Sequence, residues 1–213
     1  MKLEESFMKK KSEWFVLIGL ILLTIVPTLA GIVRLFSLGG AEPISNENLR
    51  FVQSPISIGL HVISSLLFSI LGIFQVLPSF RIPNLKWHKI IGRILIPMGF
   101  FSALTGLYMT LYYPKLETDG PTLYFIRLIV GVIMFLFLVL AVLAVIKKKF
   151  AEHGKWMIRA YALGLGASTQ VFTHLPWLLS TGKLPTGLTR DAAMAMGWIL
   201  NLLIVEWHFK NKR

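Results

Sequence analysis

Six apolar segments, each long enough to cross a lipid bilayer as an α-helix, constrain this fold more than any other feature. A helix needs about 20 residues to span a hydrocarbon core of roughly 30 Å. The segments cover about 14–36, 55–77, 90–113, 121–146, 156–180 and 192–209. In lipid every backbone polar group must be bonded internally, which a helix achieves within one segment. The sequence therefore predicts an all-α integral membrane bundle of six transmembrane helices.

The connections between these segments are short, so we expect one transmembrane domain, 1–213. The longest runs from Ser37 to Ser54 and leaves no room for a soluble domain. The first segment is longer than a usual signal-peptide core, which favours a membrane helix over a cleaved leader. The chain has no cysteine, which excludes disulfides, iron–sulfur clusters and thiol chemistry.

The basic residues predict the orientation of the bundle. A net charge of +12 would suggest a nucleic-acid partner in a soluble protein, but here the charges follow the topology. Sixteen of the 22 lysines and arginines fall on one side of the predicted bundle. The other six are Arg34, Arg50, Lys115, Arg127, Lys183 and Arg190. By the positive-inside rule we expect both termini in the cytoplasm, the cell membrane as location, the lipid bilayer as partner, and no nucleic acid.

Four histidines fall at two levels of this predicted bundle. His61 and His174 each lie about six residues from one end of their helices, roughly 9 Å deep at 1.5 Å per residue. His88 and His153 each precede a helix that starts from the cytoplasm. We call His61 and His174 the outer pair, and His88 and His153 the inner pair.

Two similar motifs lie at the predicted cytoplasmic edge, WHKIIGR at 87–93 and HGKWMIR at 153–159. Each ends in an arginine, Arg93 or Arg159, about a turn and a half inside the membrane. A guanidinium there suits a propionate, phosphate or carboxylate, because its planar fork donates two parallel hydrogen bonds. Glu206 lies at the same level, and we expect it to pair with one of these arginines.

These residues favour a b-type haem protein for transmembrane electron transfer. Imidazole is a common axial ligand of haem iron, and helical bundles build cofactor sites from inward-facing side chains. The residues expected to hold haem b are His61 with His174, His88 with His153, and Arg93, Arg127 and Arg159. If the chain is an enzyme, it is a membrane oxidoreductase. No catalytic residue is predicted, and the redox partner and any homo-oligomer stay open.

A small proton- or anion-coupled transporter is the first alternative. Ionisable residues inside a membrane span often line such paths, and here the outer pair, Arg127 and Glu206 would do so. Transporter sites favour helices broken at mid-membrane depth, and Pro97 is the main interruption that the sequence indicates. A membrane assembly protein without catalysis is the second alternative.

The histidines also have simpler interpretations. A hydrogen bond to a neighbouring serine or to Gln170 would satisfy His61 or His174. His88 and His153 would then bind lipid head groups at the membrane surface, beside the lysines that set the topology.

A family resemblance rests on three features of the sequence. They are His61, the motif HKxxGR at 88–93, and the motif HxxWMIR at 153–159, which is followed by AYA at 160–162. On these residues the chain resembles a family of predicted bacterial multi-pass membrane proteins catalogued as a domain of unknown function, over nearly all the chain after the first helix. It departs from that pattern at Gly154, where the family tends to be basic. The resemblance implies fold and topology but no activity. A looser likeness, four histidines at two levels, is to di-haem cytochrome b membrane proteins.

Overall fold

A computed structural model of the chain describes residues 2–41 and 49–211, with side chains described for 13–40 and 49–211. Within these residues all regular secondary structure is helical, apart from one isolated β-bridge between Asp119 and Gly187. The helices are α1 (Lys2–Phe36), α2 (Leu49–Gln53), α3 (Pro55–Val76), α4 (Pro78–Arg81), α5 (Leu85–Tyr112), α6 (Leu123–Ile146), α7 (Phe150–Gly164), α8 (Gly166–Thr181) and α9 (Gly187–Lys210). A π-helical turn at Ser37–Ala41 follows α1. The predicted all-α class is confirmed.

Five helical segments are long and apolar enough to cross a membrane. They are Glu13–Gly40, Pro55–Val76, Leu85–Tyr112, Leu123–Ile146 and Gly187–Lys210. Many of their large apolar side chains are exposed; Phe15, for example, is 75% exposed. Because exposed apolar surface on this scale is stable in lipid and not in water, the helices belong in a bilayer. Five of the six predicted spans therefore correspond to continuous helices.

The remaining predicted span, 156–180, is wrong as one continuous helix. Helix α7 ends at Gly164 and α8 begins at Gly166, while Leu165 between them has φ −79° and ψ 3°. Glycine weakens a helix by about 1 kcal/mol relative to alanine. At Gly166 the backbone also lies so close to Trp198 that a Cβ atom would overlap the indole. The break therefore coincides with a close approach between α8 and α9.

The long helices form a closed ring. Helix α1 packs on α3, α3 on α5, α5 on α6 and α6 on α7; α7 and α8 both pack on α9, and α8 returns to α1. Phe68 and Leu138 are buried in the core around α7, and the Phe68 ring lies edge-on to Tyr161. Gly72 makes room for the Tyr161 ring, since a Cβ there would overlap it. The core thus lies where α7 meets α3, α5 and α6.

Contacts at helix ends establish which ends share a face of the bundle. The Tyr113 hydroxyl, just after α5, donates to the Ser54 carbonyl, just before α3, at 2.7 Å. Asp191, in the first turns of α9, accepts hydrogen bonds from the amides of Thr122 and Leu123 at the start of α6. The end of α5 and the starts of α3, α6 and α9 therefore lie together. We call this the Asp191 face, and the opposite one the Glu206 face.

Candidate functional site

His61 of the outer pair lies on α3 against α5. Its Nδ1 atom is 3.0 Å from the carbonyl oxygen of Ser102 and 3.0 Å from Oγ1 of Thr105. Because the carbonyl can only accept, the proton belongs on Nδ1 and the lone pair on Nε2. Nε2 has no hydrogen-bond partner among the described residues.

His174 and His153 repeat this arrangement on α8 and α7. Nδ1 of His174 is 2.7 Å from the Gln170 carbonyl oxygen, and Nδ1 of His153 is 3.0 Å from that of Ala141. Neither Nε2 atom has a partner within the described part of the chain. The predicted bond between His174 and Gln170 is thus confirmed, though only for Nδ1. A neutral imidazole held at Nδ1 with Nε2 unbonded is the form that ligates a metal.

His88 of the inner pair differs from the other three. Its Nδ1 atom is buried and has no hydrogen-bond partner among the residues that the structure describes. Arg81 and His153 lie close enough for their charges to act on it. A buried polar atom without a partner costs about 1–3 kcal/mol, so such atoms usually indicate a ligand, a water or a strained site.

The two pairs are brought together to different extents. His88 and His153 lie close enough for their charges to interact, and their helices α5 and α7 are in contact. The structure places His61 and His174 on helices that are not packed along each other, since α8 packs mainly on α9 and α1. Among the described residues no group of three or more histidine, aspartate or glutamate side chains converges on one point. Any iron here would therefore depend on paired imidazoles.

Arg159 already has a carboxylate partner. Its Nη2 donates to Oε2 of Glu206 at 2.9 Å, and Nε donates to Oε1 of the same group. The guanidinium also stacks over Trp156, at 4.8 Å from the ring centroid. The predicted pairing of Glu206 is therefore confirmed, with Arg159 as the partner. A cavity of about 280 Å³ beside it is lined by Lys155, Arg159, Glu206, Phe209 and Lys210.

Arg127 is paired as well, whereas Arg93 is not. Arg127 donates to Oδ2 of Asp119 at 2.7 Å, and Arg190 donates to Oδ1 of the same carboxylate at 2.9 Å. The Asp119 side chain is only 3% exposed. Arg93 is exposed and has no ion pair among the described residues. Of the three predicted arginines, Arg93 alone keeps an uncompensated charge at its position.

Two buried aspartates make hydrogen bonds and ion pairs that the sequence analysis did not predict. Asp191 is 1% exposed and accepts hydrogen bonds from the amides of Gly120, Thr122 and Leu123 and from the Thr122 hydroxyl. Asp119 and Asp191 both fell in predicted loops, where carboxylates are common. The sequence feature that could have singled them out is the small number of acidic residues, since the whole chain has only ten.

A ring of long, apolar, lipid-facing helices that enclose bonded polar groups defines a multi-span α-helical membrane protein. The model of the family described as Predicted membrane protein (DUF2306), of unknown function, matches residues 58–209, and the chain belongs to this family. That range contains His61 and both histidine motifs, so the family resemblance is confirmed. No curated protein and no solved structure matches the chain, and the likeness to di-haem cytochromes b is not shown.

Proposed function

We propose that the chain crosses the membrane six times, with both termini in the cytoplasm. Asp191 joins the start of α9 to the start of α6. Since α6 ends at the opposite face, a return crossing by α7 and α8 together is supported. The basic residues that favour a cytoplasmic Glu206 face include Lys147, Lys149 and Lys155. Those outside the described side chains are Lys2, Lys9, Lys10, Lys11, Lys212 and Arg213.

The absence of native cysteine makes this topology directly testable. Lys183→Cys, on the Asp191 face, is expected to react in intact cells with a maleimide that cannot cross membranes. Lys149→Cys, on the other face, is expected to react only after the cells are lysed. Labelling of both positions in intact cells, or of Lys149→Cys alone, would contradict the orientation.

We propose, second, that the protein is a b-type haem protein that carries electrons across the membrane. The observation that supports it is the state of the histidines. In His61, His153 and His174 a backbone carbonyl holds Nδ1 and leaves Nε2 without a described partner, as axial ligation requires. In His88 a buried nitrogen has no hydrogen-bond partner within the described part of the chain. The inner pair would hold one redox centre. The outer pair would hold a second only with the haem lying between α3 and α8, which do not pack along each other.

The arginine roles in this proposal follow from their pairing. Arg93 is the main candidate to balance an inner propionate, because its charge has no ion-pair partner among the described residues. Arg159 would bind a propionate only if its guanidinium bound Glu206 and the propionate together, or if its ion pair with Glu206 broke. Arg127 would contribute at the outer site through the excess charge that two arginines leave around Asp119.

An absorbance spectrum tests the haem proposal. Protein expressed with ample haem and purified in detergent is expected to show a b-type spectrum when the oxidised trace is subtracted from the dithionite-reduced one. His61→Ala and His174→Ala should each remove about half of the bound haem, and His88→Ala the other half, because each pair loses one axial ligand. His208→Ala, the fifth histidine, is the matched control. Wild-type protein without haem, or equal loss in His208→Ala, would refute the proposal.

One observation favours a transporter as the second candidate. The helix break at Leu165 lies inside a predicted span, and transporters place substrate sites at such breaks. The break removes the bond that the Ala162 carbonyl would receive from Gly166, and Nδ2 of Asn201 donates to that carbonyl at 2.9 Å instead. Helix α5, by contrast, continues through Pro97.

A flux measurement separates this candidate from the haem protein. Haem-free protein in liposomes with an internal pH dye is expected to dissipate an imposed proton gradient, and His61→Ala should slow that flux. His208→Ala serves again as the control. Flux no faster than in empty liposomes would eliminate the proton-coupled transporter.

A further inference from the structure

Two arginines converge on one buried carboxylate at the Asp191 face. Arg127 and Arg190 bind the two oxygens of Asp119 at 2.7 and 2.9 Å. Their side chains keep 29% and 20% exposure, whereas that of Asp119 keeps 3%. The carboxylate is thus enclosed, and the guanidinium groups still reach the surface.

The charges of Arg127, Arg190 and Asp119 act on a further arginine, Arg50, which shares an aromatic contact with Arg34. The guanidinium carbons of Arg34 and Arg50 are 4.3 and 4.4 Å from the centroid of the Phe51 ring. Arg34 lies in the last turn of α1, and Arg50 lies in the short helix α2, just before the start of α3. Both are therefore at the Asp191 face of the bundle. We call these four residues and Asp119 the arginine cluster: Arg34, Arg50, Arg127, Arg190 and Asp119.

The described residues leave this cluster with excess positive charge. Asp191 is close by, but its oxygens are bonded to amides and a hydroxyl of 120–123 rather than to an arginine. Burial, followed by the charge of Arg127, lowers the pKa of Arg50, while Asp119 raises it. Nε of Arg50 is buried, and no described residue accepts a hydrogen bond from it. Arg127 and Arg190 bind the one carboxylate, and the other two arginines have no ion pair with it. The four guanidinium groups therefore repel one another, and Arg50 retains a donor that no described residue uses.

We propose that the arginine cluster binds a phosphate group at the Asp191 face. Guanidinium groups recognise phosphate through paired, charge-assisted hydrogen bonds, and several of them around one centre suit its multiple oxygens. The phosphate belongs either to the head group of an anionic lipid in the adjacent leaflet or to a soluble compound. The site needs neither haem nor electron transfer, so it goes beyond the proposed function.

The test variant must leave the buried ion pairs intact. Removing Arg127 or Arg190 would leave Asp119 poorly compensated and destabilise the fold. Arg34→Gln with Arg50→Gln instead removes two charges that make no ion pair with it. Lys115→Gln with Lys183→Gln removes two charges from exposed positions on the same face and is the matched control. Thermal unfolding in detergent checks that both double variants are folded.

Two binding measurements on the purified full chain distinguish the phosphate sources. Native mass spectrometry after exchange into mixed phosphatidylglycerol and phosphatidylcholine measures retained anionic lipid. Equilibrium dialysis with radiolabelled inorganic phosphate measures soluble anion. We expect at least one to be positive for wild type and for the lysine control, and about tenfold weaker in the arginine variant. The positive measurement identifies the source.

Three results would overturn the site. Wild type that retains no phosphatidylglycerol in preference to phosphatidylcholine and binds no phosphate is the first. Equal binding by wild type and the arginine variant is the second. The third is an arginine variant that loses haem while its phosphate and lipid binding are unchanged, which would assign the cluster to a propionate. Haem content is read from the same samples, so failure of the haem proposal stays distinguishable from failure of this one.

Discussion

Two ion-pair centres at opposite ends of the bundle use the same residue types with different burial. At the Asp191 face Asp119 is enclosed, with a side chain 3% exposed, and two arginines bind it. At the Glu206 face Arg159 binds Glu206, whose side chain is 51% exposed. Water that reaches the exposed Glu206 side chain weakens the second pair and stabilises its charges if the pair breaks. The comparison shows that burial, rather than the number of carboxylates, decides which charges hold this fold together.

The two centres also join different parts of the chain. At the Asp191 face the Gly187 amide donates to the Thr118 carbonyl at 2.9 Å, and Asp191 binds the start of α6. These contacts fasten the α5–α6 connection to the start of α9. At the Glu206 face Arg159 of α7 pairs with Glu206 and stacks over the Phe209 ring, both near the end of α9. Loss of a buried carboxylate should therefore disturb more of the fold.

Replacement of Asp191, the aspartate that accepts the most hydrogen bonds, should lower the free energy of unfolding more than any other change in this series. Asp191→Ala leaves the amides of Gly120, Thr122 and Leu123 unpaired at a buried position, so we expect unfolding to become easier by about 3–5 kcal/mol. Thermal unfolding in detergent, followed by circular dichroism, measures it. The exposed Glu117→Ala on the same face should be nearly neutral. Equal stability of the two variants would invalidate the comparison.

Neutralising Asp119, the second buried carboxylate, should lower the free energy of unfolding somewhat less than Asp191→Ala does. Asp119→Asn leaves Arg127 and Arg190 without their counter-charge, but both side chains retain contact with solvent. We expect about 2–3 kcal/mol of destabilisation, measured in the same way. Adding Arg190→Gln should recover part of the loss because it removes one uncompensated charge. A double variant that is less stable than Asp119→Asn would contradict this explanation.

At the Glu206 face, neutralising the carboxylate should change the free energy of unfolding only slightly. Glu206→Gln removes the charge that binds Arg159 from a half-exposed side chain, so we expect at most about 1 kcal/mol. The same unfolding measurement applies, with Asp119→Asn as its reference. A loss as large as that reference would mean that lipid or neighbouring side chains shield this pair from water.

The most exposed pair sets the lower limit of the series. Lys149 and Glu152 are 3.3 Å apart, at 57% and 54% side-chain exposure. Glu152→Gln should change the stability by about 0.5 kcal/mol or less, and added salt at about 1 M should remove the difference. Persistence of a larger difference in high salt would show that exposure does not rank these pairs.

Local patterns were enough to predict most of the fold. The spans around Pro55–Val76 and Leu123–Ile146 follow from apolar runs, since crossing a bilayer is a property of about 20 consecutive residues. The break at Leu165 was missed because glycine is common in membrane helices and rarely ends one. The break coincides with the approach of Trp198, which lies on another element.

The candidate site was predicted less completely for the same reason. The depth of each histidine follows from position along a helix, and the pairing of Arg159 with Glu206 was expected from their common level. The bonds that hold Nδ1 of His61 to Ser102 and Thr105 depend on how α3 meets α5. Depth is a local quantity, whereas a hydrogen bond needs both side-chain positions.

By itself the sequence determined the membrane environment, the helical class, the positions of five spans and the family motifs. Each depends on residues that are neighbours along the chain, where hydrophobicity and backbone hydrogen bonding act. The tertiary structure alone decided that Asp119 and Asp191 are buried, that two arginines bind Asp119, and that α7 and α8 separate. Those outcomes depend on groups up to 71 residues apart in sequence, which only the packing of the helices brings within bonding distance.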